Sequence, residues 1–110
     1  MKLKNISSNE TLSTKTSRTK TFREKIQGLI NQEKDKGLII HTRFGIHTFG
    51  MNRPIDVLVL DKQNSVVKLK SNLAPNRIFL WNPKHSIVIE LPDGTIMQTN
   101  TKLGDKIKAS

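Results

Sequence analysis

From Leu38 onward the apolar residues of this chain come in short runs rich in β-branched side chains, separated by turn formers. Runs of that length suit strands buried on most of their surface and are too short for helices of several turns. Leu38-Ile39-Ile40-His41 and Ile55 to Leu60 are the clearest. Asp61-Lys62-Gln63-Asn64 is a polar turn, and Ser65 to Lys70 returns as an alternating strand, so the two runs around the turn predict a hairpin. Pro75 and Pro83 confine Arg77 to Trp81 as a strand between turns. Ser86 to Leu91 is the next strand, closed by Pro92-Asp93-Gly94. Thr95 to Asn100 reads as a helical turn, and Lys106 to Lys108 as a last short strand after Gly104-Asp105.

The 110 residues are enough for one domain, and 35 % hydrophobic with 5 % aromatic residues makes its core small and mostly aliphatic. Cysteine is absent, which excludes disulfides, thiolate chemistry and Cys-ligated zinc or iron–sulfur clusters.

The first residues differ in character. The formal net charge is +10, and residues 1 to 25 hold Lys2, Lys4, Lys15, Arg18, Lys20, Arg23 and Lys25 against Glu10 and Glu24. Asn5 to Thr21 is rich in Ser, Thr and Asn, with Ile6 and Leu12 as its sizeable apolar residues, so it is expected to be too poor in apolar surface to offset its ordering entropy. Residues 1–20 therefore read as a flexible basic arm and 21–110 as one β-rich domain. Thr21-Phe22-Arg23-Glu24 matches a capping box, and Phe22, Ile26, Leu29 and Ile30 share one face of a helix over about 22–31. The fold class is mainly β (α+β): a small barrel-like or strongly curled sheet of short strands with one N-terminal helix. No apolar h-region follows the early lysines and no stretch could span a bilayer as a helix, so the simplest address is cytoplasmic.

Phe44-Gly45-Ile46-His47-Thr48-Phe49-Gly50-Met51, followed by Arg53-Pro54-Ile55-Asp56-Val57-Leu58-Val59-Leu60-Asp61, resembles the prokaryotic family called domain of unknown function 192. That family's signature runs Ile-His-Thr-Phe, Met, then Pro-Ile-Asp-Val and a hydrophobic strand ending in Asp. Val66-Val67, Pro75 with Arg77, Val88 to Pro92 with Gly94, and Gly104-Asp105 keep the family's order and approximate spacing. Gly28-Leu29 and Gly37-Leu38 resemble its two Gly-Leu positions, so the likeness covers about 22–108 and leaves the arm outside. Thr42 and Arg43 stand where many members carry Pro-Cys, so no role of that Cys transfers. The resemblance implies a compact, barrel-like β fold with short helices and no established activity; some relatives are exported behind signal peptides.

Asp56 is the most demanding residue, because a carboxylate inside an apolar strand is costly unless paired or hydrogen-bonded. One reading is a structural latch, with Asp56 accepting hydrogen bonds from Thr48, His47 or loop amides. The other is a His47–Asp56 pair in a pocket, suited to acid–base work or ligand binding. Ser65, Ser71 and Ser86 lack an activating frame for a nucleophile. His41, His47 and His85 have no metal-binding spacing, leaving a cross-strand set of His47, Asp56 and Glu90 as the remaining metal combination. Glu90, between Ile89 and Leu91, is expected to face solvent or neutralise Arg77.

The leading expectation is a non-enzymatic, monomeric module without a cofactor, binding a small ligand or protein in a pocket edged by His47, Thr48, Met51 and Asp56. The alternative is nonspecific nucleic-acid binding through arm cations Lys15, Arg18, Lys20 and Arg23. Phe44, Phe49, Phe79 and Trp81 read as core or pocket residues rather than stacking platforms. A hydrolase or metal-dependent enzyme is the third class. The arm lacks the amphipathic face that membrane insertion needs.

Overall fold

The strand runs of the sequence form the middle of a five-stranded mixed sheet. The computed structural model describes residues 1–19 and 35–110. Among them the elements are β1 (Leu3–Asn5), β2 (Glu10–Ser13), β3 (Lys15–Thr19), β4 (Lys36–His41), β5 (Gly45–His47), β6 (Ile55–Leu60), β7 (Val66–Leu73), β8 (Ile78–Leu80), β9 (Ile87–Pro92), α1 (Thr95–Gln98) and β10 (Ile107–Ala109). The central sheet runs β3-β4-β9-β6-β7, with β10-β1-β2 as a second sheet and β5-β8 as a two-stranded ribbon. The expected helix over 22–31 lies outside the described residues.

Strand β6 occupies the middle of the core because both of its faces are covered. Val57 and Val59 point into one cluster with Leu38, Ile40 and Val88 of the sheet and Ile46, Phe79 and Trp81 beyond it. Leu58 and Leu60 point into the other, with Leu3, Leu12, Ile39, Leu91 and Ile107. A strand with two buried faces reads as a continuous apolar run rather than an alternating one, which is why Ile55 to Leu60 was conspicuous. The hairpin from β6 to β7 turns as expected: Asp61 Oδ1 accepts the amides of Gln63 and Ser65, each at 2.9 Å, and Asn64 takes a positive φ of 64°.

Three expectations are corrected. Among the described residues the central sheet ends at β3 and β7 instead of closing on itself, so the mainly β class stands without the closure of a barrel. Residues 1–20 are not a flexible arm as far as they are described: β1 pairs antiparallel with β2 and β10, and β3 pairs parallel with β4. Leu3 and Leu12 suffice to anchor these strands in the second cluster, and buried Asn5 satisfies their polar surroundings. Its Nδ2 donates to Thr101 Oγ1 (3.0 Å) and Asp105 Oδ2 (2.9 Å), while its Oδ1 accepts the amides of Ser7 and Ser8. Apolar composition carries no trace of such a hub. Finally, Glu90 is fully buried rather than solvent-facing, because β9 lies between β4 and β6.

Candidate functional site

The segment between β4 and β6 folds against the first cluster as a ribbon. Strand β5 pairs antiparallel with β8, placing Gly45 opposite Leu80, Ile46 opposite Phe79 and His47 opposite Ile78. Directly opposed residues share a face. Ile46 and Phe79 are buried inward, so Gly45, His47, Ile78 and Leu80 make the outer face. Gly45 is required there, because a Cβ would come within 2.6 Å of Leu80 Cδ2 and 2.7 Å of the Phe79 carbonyl oxygen.

Thr48 holds the far end of the ribbon. Its hydroxyl donates to the Ala74 carbonyl (2.7 Å) and accepts the Arg77 amide (2.9 Å). Its own amide donates to the Arg77 carbonyl, and its carbonyl accepts the amides of Met51 and Asn76. Met51 is buried in the first cluster. Asp56 does the equivalent work on the opposite face of β6: Oδ1 accepts the Asn72 amide (2.9 Å) and Oδ2 the Ile96 amide (2.8 Å). Burial raises its pKa above the usual carboxylate value, against the amides of Asn72, Ile96 and Gly94, which favour the ionised form; the charge of Asp93 pushes the same way as burial.

Of the four pocket-edge residues, His47 is the one exposed to solvent. Its ring stacks on Phe49 at 4.8 Å between centroids, and its Nδ1 accepts the Phe49 amide at 3.3 Å, which leaves Nε2 to carry the proton. No hydrogen bond among the described residues joins His47 to Asp56. The combination of His47, Asp56 and Glu90 is not assembled: Asp56 lies opposite Leu91 and Glu90 opposite Val57, so the two carboxylates point to opposite faces of the sheet. No group of three or more His, Asp or Glu among the described residues could hold a metal ion.

Two of the four aromatics expected in the core or a pocket are on the surface. Phe79 and Trp81 are buried, but Phe44 is 66 % exposed and Phe49 48 %, beside Ile78 at 62 % and Leu80 at 60 %. Phe44 sits at a φ of 74°, where the Gly45 amide closes a three-residue turn onto the Arg43 carbonyl at 2.9 Å. A bulky side chain rarely occupies that region, and such strain of order 1 kcal/mol concentrates at working surfaces. The sequence signal was the pair of neighbouring glycines, Gly45 and Gly50, which mark turns rather than core. Cations flank this face. Lys68 Nζ donates to the Leu80 carbonyl (2.6 Å) and lies 4.9 Å from the Phe79 ring centre. Arg43 donates to the Pro83 carbonyl (2.7 Å), and Arg53, Arg77 and Lys84 are exposed nearby in the chain. Neither 42–55 nor 62–89 contains an Asp or Glu.

Lys15 and Arg18 lie on β3, and Arg18 Nη1 is 2.9 Å from His41 Nε2. Lys20 and Arg23 fall outside the described residues. No helix among the described residues is long and apolar enough to cross a membrane.

Fold and site together define a small mainly β domain with an open mixed sheet, whose irregular connections are latched by buried polar side chains and present exposed aromatics. The chain belongs to the domain of unknown function 192 family, described as uncharacterized ACR, whose profile matches residues 4–109. That range takes in β1 apart from Leu3, together with β2 and β3, which the resemblance had left outside. A UPF0127 protein of Pyrococcus abyssi (strain GE5 / Orsay) is 37 % identical over 64 % of this chain and 62 % of its own length. Another from Thermococcus sibiricus (strain DSM 12597 / MM 739) is 39 % identical over 56 % of this chain and 40 % of its own length, so the match spans less than two-thirds of either relative. Two crystal structures share the fold. One is a protein of unknown function from Novosphingobium aromaticivorans DSM 12444 (TM-score 0.75, 16 % identity, 98 % of this chain and 82 % of that one). The other is described as "a putative transcription regulator" from Sinorhizobium meliloti 1021 (TM-score 0.77, 18 % identity, 97 % and 89 %).

Proposed function

We propose that this domain is a binding module for single-stranded nucleic acid, working through the outer face of the β5–β8 ribbon. The observation that carries the reading is the exposed outer face of His47, Ile78 and Leu80, with Phe49 stacked on His47 and exposed Phe44 just before β5, in two acid-free stretches that also hold cations. Unpaired bases stack on aromatic faces, and a phosphate backbone needs cations alongside, so this combination suits a single strand better than a duplex. His47 and Phe49 supply a two-ring platform, while Arg43, Lys68 and Arg77 meet phosphates. Thr48, Met51 and Asp56 then act as the supports that fix the platform rather than as ligand contacts. The small-ligand pocket expected around His47 becomes, in this reading, a shallow stacking surface, and the nucleic-acid partner moves from the N-terminal cations to the ribbon.

The test is fluorescence anisotropy of the full chain with a labelled oligothymidylate of about 12 nucleotides and a duplex of equal length, at two salt concentrations. The single strand should bind more tightly and weaken with salt. Phe44→Ala and Phe49→Ala should each weaken it by about 1–3 kcal/mol, roughly 5- to 150-fold, with the fold intact. Negligible affinity at low salt, or affinity untouched by both substitutions, rejects the ribbon. Loss of binding in Lys15→Ala/Arg18→Ala alone would return the interface to β3.

A further inference from the structure

We propose that a cleft between the two larger sheets binds a short-chain aliphatic carboxylate, with Arg18 as its anion anchor. The cleft has a volume of about 90 Å³. Its buried floor is Leu3, Ile39, Leu60, Ile89 and Ile107, all members of the second core cluster. The exposed lining residues Arg18, Asn64 and Ala109 form its mouth, with half-buried His41 beside Arg18. This is the opposite face of the central sheet from the ribbon, whose inward residues belong to the first cluster, so the site stands apart from the nucleic-acid reading.

The chemistry of the lining selects the ligand class. The floor is wholly aliphatic, so the buried part of a ligand must be apolar. Among the described residues the lining contains no Asp or Glu, and the formal charge at the mouth is the Arg18 guanidinium, so the polar part must accept hydrogen bonds from a cation. Arg18 already contacts His41 Nε2 at 2.9 Å, an arrangement in which the guanidinium donates and the imidazole accepts as a neutral ring. That contact uses one of five guanidinium donors and leaves others for two-pronged recognition of a carboxylate. Size sets the tail. A dry cavity of about 150 Å³ takes a benzene ring, so this smaller cleft suits a chain of about four to five carbons, straight or branched.

The probes are acetate, butyrate, 3-methylbutanoate, octanoate and butan-1-ol, each titrated into the full-length protein and read by amide chemical shifts. Butyrate and 3-methylbutanoate should give saturable shifts centred on Ile39, Leu60, Ile89 and Ile107, with dissociation constants on the order of a millimolar. Acetate, too short to reach the floor, and octanoate, too long for it, should bind at least about tenfold more weakly, and butan-1-ol should not saturate. Arg18→Gln should cost about tenfold or more, with Arg18→Lys intermediate. Ala109→Phe, at an exposed position of the mouth, should block binding while the spectrum keeps its native dispersion, and it decides the matter if the Arg18 variants fold poorly. Shifts that do not saturate, that ignore chain length, or that survive both Arg18→Gln and Ala109→Phe overturn the proposal. Neither substitution lies on the ribbon, so oligothymidylate affinity of the Ala109→Phe protein should equal that of the parent.

Discussion

Asp56 Oδ2 accepts the backbone amide of Ile96 at 2.8 Å, although forty residues separate them in the chain. With Asn72 on Oδ1, one carboxylate in β6 ties down both the end of β7 and the first turn of α1. The latch reading of Asp56 thus has specific partners: they are backbone amides, the third kind of donor expected, while Thr48 and His47 make their hydrogen bonds elsewhere.

Asp56→Asn should lower stability by about 1–3 kcal/mol in urea unfolding, because an amide can accept from one of the two buried N–H groups and must turn its own NH₂ toward the other. The pH dependence adds a second readout. Burial raises the folded-state pKa of Asp56 above its unfolded value of 3.8, so within that window the native protein holds more protons and loses stability as pH rises. The substitution should flatten that decline.

The latch was visible in the sequence because a lone Asp in an apolar strand must be satisfied. Its partners were not, since a backbone amide can come from any residue and leaves no mark on composition; the closest hint is Asn72, whose φ of 58° is one that Asn tolerates. Strands β4, β6 and β9 were legible because burial on both faces writes continuous β-branched runs. The strands β1, β2 and β3 were not, because Leu3 and Leu12 are thinly spaced and the rest of their stability comes from pairing and from the Asn5 hub. Strand β5 was hidden by its three-residue length and Gly45, and with it the outward aim of Phe44 and Phe49.

Removal of residues 1–20 should abolish cooperative unfolding rather than trim a tail. It deletes two members of the second cluster, Leu3 and Leu12, takes from β10 its partner strand β1, and strips β3 from β4, which is left paired with β9 alone. Circular dichroism with thermal melting checks this; a truncated protein that melts like the parent would contradict it.

Asn5→Ala should cost about 2–4 kcal/mol, since its amide group serves Thr101, Asp105, Ser7 and Ser8 together. The Asn5 side chain is the main cause holding the Asp105 carboxyl below its usual pKa, opposed by burial and aided by the Lys102 amide and ammonium. A lowered folded-state pKa gives stability that is present above pH 3.8 and lost as pH falls through the lower value. Acid titration of the Asn5→Ala protein should therefore show a shallower loss below pH 3.8.

Gly45→Ala should destabilise the protein by about 1–3 kcal/mol, because the new methyl meets the Phe79 carbonyl and Leu80 in the paired strand. Loss of oligothymidylate binding should accompany it, as the ribbon is forced apart. Phe49→Ala, by contrast, should leave the urea midpoint nearly unchanged.

The antiparallel pairing of β1 with β10, sealed by the Lys2 and Ser110 backbone exchange at 2.8 and 2.9 Å, also sets a timetable. On a ribosome adding ~5–20 residues per second, the first strand would wait roughly 5 to 20 s before its partner emerges. During that interval Leu3 and Leu12 stay open to other chains, so nascent-chain chaperones and crowding would bear on the yield of this protein more than on its final stability.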